Sequence, residues 1–248
     1  MIPQLGTSFE DLFVTPNGLV RVWRYMTLQR FEQMLSNRGL RFASPDDFKE
    51  DPFEGSVPRA WSKRQSTQTR ELNKAEIPPS MGTIKATRNR TQEDRSGIVI
   101  NCWHASEHES LAMWKLYAPV DGAVCIRSTC SRLKECLTKE DGIHIGLVRY
   151  FDYGKHDFLE GSSLSPYMYK RLSFEHEKEL RVICYRDPKA GQPNSPRYLK
   201  IDSNKLIEKV FVRPRESDCL KRCVEDAATK YKLDAPVARS EMDSKPLF

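Results

Sequence analysis

Three carboxylates alternate with other residues in the run Phe174-Glu175-His176-Glu177-Lys178-Glu179-Leu180-Arg181-Val182-Ile183. Read as a strand from Glu175, the period of two puts Glu175, Glu177, Glu179 and Arg181 on one face, with neighbours about 6.5–7 Å apart. Carboxylates that close raise one another's pKa when partly buried. Such a row suits hydrogen bonding to sugar hydroxyls or stabilising a developing cation. The same pattern also makes a solvated strand end whose charges blunt a sheet edge.

A second group lies at His104-Ala105-Ser106-Glu107-His108. It matches the H-x-x-E-H pattern of inverted zinc proteases, which needs both histidines on one face of one helix. Ser106 and Glu109 form a capping box that starts the helix at Ser106. His104 then stays outside the helix, at a strand end, and the ligand geometry fails. Trp103, Trp114 and Tyr117 surround the same corner. They serve either as core or as a platform on which a flat ring such as nicotinamide or a base stacks. G-x-G-x-x-G, G-x-x-x-x-G-K-[ST] and G-x-S-x-G are all absent, which removes the main support for Rossmann, P-loop and α/β-hydrolase chemistry.

The elements that must position these groups follow from periodicity and capping. Val20 to Tyr25 alternates as a strand. Thr27 caps a helix with the stripe Leu28, Phe31, Met34 and Leu35, and Gly39 ends it as a C′ glycine. Leu40 to Ala43 is a second strand, followed by an acidic, turn-rich loop from Ser44 to Gly55. Strands are expected at Ile98–Trp103, Ala123–Ser128, Ile143–Tyr153, Leu180–Tyr185, Tyr198–Ile201 and Lys209–Val212. Helices are expected from Ser106 to Tyr117, Ser131 to Leu137, Tyr167 to Leu172 and Asp218 to Tyr231. Strands and helices mix without strict βαβ alternation. The expected class is α+β around a mixed, mostly antiparallel sheet.

The chain has 248 residues, 39% hydrophobic and 30% charged, which excludes a disordered or coiled-coil protein. It reads as a single domain over 1–235 with a basic excursion at 56–97 and a flexible tail at 236–248. Between Arg59 and Arg95 nine basic residues face four acidic ones. That stretch is either a solvated loop or a contact surface for an anionic partner such as RNA or DNA. Seven cysteines without a C-x-x-C pair point to reduced thiols. With no apolar run of membrane-spanning length and no secretory signal, a cytoplasmic protein without membrane contact is expected.

Trp23-Arg24-Tyr25-Met26-Thr27, the following helix and Gly39-Leu40-Arg41 resemble the opening of the ADP-ribosyltransferase superfamily. The strand Ile98 to Trp103, with Ser110 and Trp114 after it, is similar to that family's middle element. Glu177-Lys178-Glu179-Leu180-Arg181-Val182 resembles its closing E-x-E strand. Residues 20–215 also resemble a large, poorly characterised bacterial family through R-Y-M, S-P-x-D-F, D-P-F-E, C-W-H, A-M-W-K-L-Y, I-R-S-T and F-x-H-E-x-E-x-R.

The superfamily resemblance implies a split sheet and an enzyme that consumes NAD. Glu179 is then the catalytic glutamate, Glu177 its helper, and Arg24 the group that holds a phosphate or ribose. Tyr25, Trp103, His104, Ser110, Trp114, Tyr117 and Ser128 become candidates for NAD contacts. The middle motif falls either on Ser128-Thr129 or on Trp103, and both placements stay open. The basic excursion favours nucleic acid as acceptor. The resemblance further implies a toxin or anti-phage effector with an inhibitory, antitoxin-type protein partner. Two other readings compete: a non-catalytic module that binds nucleic acid or a partner, and a metal-dependent hydrolase built on His104, His108, Asp46, Asp47 and Asp51.

Overall fold

The computed structural model describes residues 12–48, 51–56, 97–119, 122–138, 140–154, 164–185 and 197–246. The basic excursion falls almost wholly outside these residues. Strand β1 (Arg21–Thr27) buries Val22, Trp23, Tyr25 and Met26 and hands over to helix α1 (Leu28–Asn37) at Thr27. The Thr27 hydroxyl accepts the Arg30 backbone N–H at 3.3 Å, as a Thr N-cap does. Phe31, Met34 and Leu35 form the buried stripe of α1. The left-handed residue that ends α1 is Arg38 (φ 46°), not Gly39. Gly39 instead opens β2 (Gly39–Phe42), where a Cβ would come within 3.1 Å of the Leu199 carbonyl oxygen.

After it come β3 (Ile98–Ala105), α2 (Leu111–Tyr117), β4 (Ala123–Thr129), α3 (Cys130–Leu137), β5 (Ile143–Leu147), β6 (Arg149–Phe151), β7 (Tyr169–Arg171) and β8 (Glu179–Tyr185). The chain continues through β9 (Arg197–Lys200), α4 (Ser203–Leu206), β10 (Lys209–Val212), α5 (Asp218–Lys230) and β11 (Val237–Arg239). Seven strands form one sheet in the order β11-β10-β4-β1-β3-β8-β5, and every neighbouring pair is antiparallel except β10 with β11. The architecture is the mixed, mostly antiparallel α+β sheet with flanking helices that the sequence implied.

The register shows where this sheet divides. β1 pairs with β4 along its whole length, from Arg21↔Thr129 to Thr27↔Ala123. β3 pairs with β8 from Ile98↔Tyr185 to His104↔Glu179. Between them, β1 and β3 pair only at Val22↔Ala105 and Trp23↔His104. Beyond Trp23 the two strands part. β2 bridges the gap from the side, through the isolated pairing of Ala43 with Ile100.

One face of the sheet packs a continuous core with α1, α3 and α5, including Val22, Phe31, Trp103, Ile126, Leu180 and Val224. The other face is covered in two patches. Ile98, Ile100, Ile183 and Tyr167 belong to one; Trp23, Tyr25, Met113, Trp114 and Phe211 belong to the other. All seven cysteines are free thiols, three of them buried.

Several expected elements differ. The tail expected to be flexible supplies β11, which pairs in register from Val210↔Val237 to Val212↔Arg239. Ser240 then bonds Glu109. The helix expected from Ser106 starts at Leu111, because Ser110 is the cap whose hydroxyl accepts the Met113 N–H. Glu109 accepts the Trp114 indole N–H in place of closing a capping box. The expected Tyr167–Leu172 helix is a 3-10 turn (Ser165–Tyr167) followed by β7, and Val148 divides the expected long strand into β5 and β6. No helix among the described residues is long and apolar enough to cross a membrane.

Candidate active site

The acidic run does not enter its strand at Glu175. Residues Leu172–Glu177 form a 3-10 helix that ends on Lys178 in the left-handed region (φ 40°), and β8 begins at Glu179. Glu175 is left exposed, while Glu177 and Glu179 are buried. The reversal at Lys178 turns both buried carboxylates toward one ammonium. Lys170 Nζ, on β7, contacts Glu177 Oε2 and lies 3.2 Å from Glu179 Oε2.

Arg181 is two residues along β8, on the same face as Glu179. Its Nε and Nη2 donate to Glu179 Oε1 and Oε2 at 2.6 and 3.1 Å. It also grips Glu54 through two bonds of 2.6 and 2.8 Å. The result is a buried chain of alternating charge: Glu54, Arg181, Glu179, Lys170, Glu177. Tyr117 closes its end by donating from its hydroxyl to Glu177 Oε1 at 2.6 Å. Tyr150 accepts the Glu179 backbone N–H at 2.8 Å. Burial alone would push the Glu179 carboxyl up, but Arg181 and Lys170 hold it at about 2. It is therefore ionised at every physiological pH.

His104 stands opposite Glu179 in the β3–β8 register. Its Nδ1 lies 2.6 Å from the Glu177 carbonyl oxygen. A carbonyl only accepts, so Nδ1 carries the proton and Nε2 keeps its lone pair in the neutral ring. Burial lowers the His104 pKa, which favours that neutral form.

Arg24 comes from β1, across the split. Its Nη2 donates to the Arg41 carbonyl at 3.3 Å, and the Asn101 side chain donates to the same oxygen at 2.8 Å. Its guanidinium lies 5.8 Å from the centre of the Trp103 ring. Arg24 Nη1 is shut off from solvent and has no hydrogen-bond partner among the described residues. Burial, with Arg41 and Arg30 nearby, brings the Arg24 pKa down to about 10. It remains a cation.

These groups line one cavity of about 630 Å³ that opens at the split between β1 and β3. Pockets that hold small molecules span roughly 300–1,000 Å³. Its charged lining includes Arg24, Arg30, Arg41 and Lys170 together with Glu54, Glu177 and Glu179. Arg24, Tyr25, Trp103, His104, Tyr117, Glu177 and Glu179 all line it. Ser110, Trp114 and Ser128 do not. Ser110 is a helix cap that donates its N–H to Tyr25. Trp114 is buried against Tyr25, with ring centres 5.0 Å apart. Ser128 is fully buried and donates to the Leu206 carbonyl at 2.6 Å. Of the two placements for the middle motif, only Trp103 reaches the cavity.

Lys170 and Glu54 were not singled out by spacing. Glu54 has a sequence signal in Asp51-Pro52-Phe53-Glu54, whose Asp51 also pairs Arg171 at 2.8 Å. The set proposed for a metal hydrolase does not assemble: among the described residues no three His, Cys, Asp or Glu side chains come together to hold a metal ion.

No family model matches the sequence, and no curated protein does. Among solved structures the chain is similar to Thermus sp. 2.9 DarT in complex with NAD+, at 8% identity and a TM-score of 0.44, covering 94% of this chain and 100% of that one. It is also similar to the same protein in complex with ADP-ribosylated ssDNA, at 10% identity and a TM-score of 0.42, covering 93% and 97%. With so few residues shared, that likeness assigns neither substrate nor residue roles to this chain.

Proposed function

We propose that this chain is an NAD+-consuming ADP-ribosyltransferase whose acceptor is a nucleic acid. The observation that carries the reading is the make-up of this cavity: Arg24, whose buried guanidinium N–H has no partner among the described residues, and the carboxylates of Glu177 and Glu179 all line it. NAD+ has matching poles. Its pyrophosphate is anionic, and its nicotinamide ribosyl end carries a positive charge.

Arg24 binds the phosphate or ribose, as guanidinium groups do through charge-assisted hydrogen bonds. Trp103 and Tyr25 flank it. Glu179 sits near the anomeric carbon. As the glycosidic C–N bond breaks, its electron pair leaves with neutral nicotinamide, and positive charge develops on the ribosyl ring. A fixed, ionised carboxylate in a dry site stabilises that charge at little reorganisation cost. The acceptor then forms the new bond to the anomeric carbon. Glu177, tied to Tyr117, orients the acceptor and receives its proton.

The nine-to-four excess of basic residues between Arg59 and Arg95 supports an anionic acceptor. An enzyme that marks nucleic acid in this way suits a toxin or anti-phage effector restrained by an inhibitory protein partner. The test is incubation with NAD+ labelled in its adenylate part together with cellular RNA, DNA and protein. Label is expected on nucleic acid with the native chain and is expected to be lost with Glu179→Gln. Undiminished labelling by that variant refutes the role of Glu179, and label on protein alone refutes the acceptor.

A further inference from the structure

We propose that Lys170 is a positioning residue that ties the two carboxylates into one unit, aims both at the same point in the cavity and fixes the charge they present there. This rests on the functional reading above but names a residue that neither motif nor spacing suggested.

Three observations converge on it. Lys170 is buried to 6% exposure, yet its ammonium meets two carboxylates that belong to different elements, Glu177 at the end of a 3-10 helix and Glu179 at the start of β8. A buried lysine is retained only where it is paired. Lys170 is also the register partner of Tyr150 in the small parallel sheet formed by β6 and β7. Tyr150 takes the Glu179 backbone N–H while Lys170 takes its side chain. That two-stranded sheet thus grips Glu179 at two points. Finally, within this chain of described residues three carboxylates (Glu54, Glu177, Glu179) alternate with two cations (Arg181, Lys170). Carboxylate ends on the cavity side suit the positive charge that develops on the ribosyl ring as neutral nicotinamide departs.

The other groups facing the pair are neutral. Tyr117 and Tyr150 are phenols held above their ordinary pKa chiefly by burial, the Cys102 thiol is raised likewise, and burial favours neutral His104. Lys170 is thus the cation that meets both members. Without it Glu179 keeps Arg181 as its cation but loses the ammonium that also holds its pKa down, so its carboxyl takes up a proton at higher pH.

The experiment compares the native chain with Lys170→Met and Lys170→Arg. Carboxyl NMR of protein labelled at glutamate Cδ gives the titration directly, and the pH profile of label transfer gives the kinetic counterpart. In Lys170→Met the Glu179 carboxyl is expected to protonate at least about one pH unit higher than in the native chain, and the acid limb of kcat/KM is expected to move up with it. Lys170→Arg, which keeps the charge, is expected to restore both. If Lys170→Met does not fold, Lys170→Gln carries the same comparison. A titration that does not move, or a uniform loss of kcat with an unmoved acid limb, overturns the proposal. A native chain that consumes no NAD+, with the titration still shifted in Lys170→Met, sinks the functional reading and leaves the charge pairing standing.

Discussion

Glu177 and Glu179 lie two positions apart, on either side of a left-handed residue, and their carboxylates meet at one ammonium. A regular strand would have spaced them about 6.5–7 Å apart along one face. The turn at Lys178 replaces that spacing by convergence, and convergence is what makes the pair a site.

That turn can be tested by itself. Lys178 adopts φ 40°, which costs a side-chain-bearing residue about 1–2 kcal/mol and glycine little. Lys178→Gly should leave stability within about 1 kcal/mol and keep transfer. Lys178→Val should destabilise by about 1–2 kcal/mol or more and lower kcat more than it raises KM. Chemical denaturation and steady-state kinetics read the two effects. Equal behaviour of the two variants would contradict the role of the turn.

The Glu179 pKa of about 2 makes an acid-stability prediction. The folded value lies below the ordinary carboxylate value of 4.5, so the contribution is fully present above about pH 4.5 and is lost as pH falls toward 2. Its size is on the order of 3 kcal/mol at neutral pH. Glu179→Gln should therefore be less stable than the native chain at pH 7, and the difference should shrink on acidification. It should still fold, because Arg181 keeps Glu54 and Lys170 keeps Glu177. Urea midpoints of both proteins between about pH 2.5 and 7 measure the convergence.

Arg24 makes a binding prediction. Removing a charged donor from an anionic ligand costs about 1.5–3 kcal/mol. Arg24→Met should therefore weaken NAD+ binding by roughly 10- to 100-fold. The apolar stem preserves packing beside Trp103. Calorimetric titration with NAD+ decides it; unchanged affinity would remove Arg24 from the donor site.

Trp114 separates core from platform. It is 1% exposed, bonds Glu109 and does not line the cavity. Trp114→Phe should lower the melting temperature, since Glu109 loses a partner and the core loses volume, by about 1–3 kcal/mol of stability. KM for NAD+ should stay within about twofold, because a remote packing change acts on stability more than on binding. A large rise in KM with an unchanged melting temperature would return Trp114 to the ring-stacking role.

Much of this site is local in sequence, and that part was legible. Arg24 lies on a strand that alternates, and Glu177 and Glu179 stand out as acids entering an apolar strand. The β3–β8 and β1–β4 strands read correctly because their apolar positions cannot face water. What escaped is set by contacts between distant segments. Lys170 reads as an ordinary surface lysine until β7, paired with β6, brings it against Glu177 and Glu179, and Glu54 reaches Arg181 across 127 positions of chain. The 3-10 helix before Glu179 looks like a strand in sequence because its charges alternate with a period of two. Ser106 and Ser110 both look like helix caps, and Glu109 decides between them by bonding Trp114 and Ser240, which local pattern does not reveal. Val237-Ala238-Arg239 is too short to announce itself as a strand; it forms one because β10 offers it an edge.

The most direct measurement is a crystal structure with a carbocyclic NAD+ analogue that cannot lose nicotinamide. The account predicts the pyrophosphate or adjoining ribose on the Arg24 guanidinium and the anomeric position within about 4 Å of the Glu179 carboxylate, the reach of a near-attack arrangement. An analogue bound elsewhere, or bound with its ribosyl end away from Glu179, contradicts it.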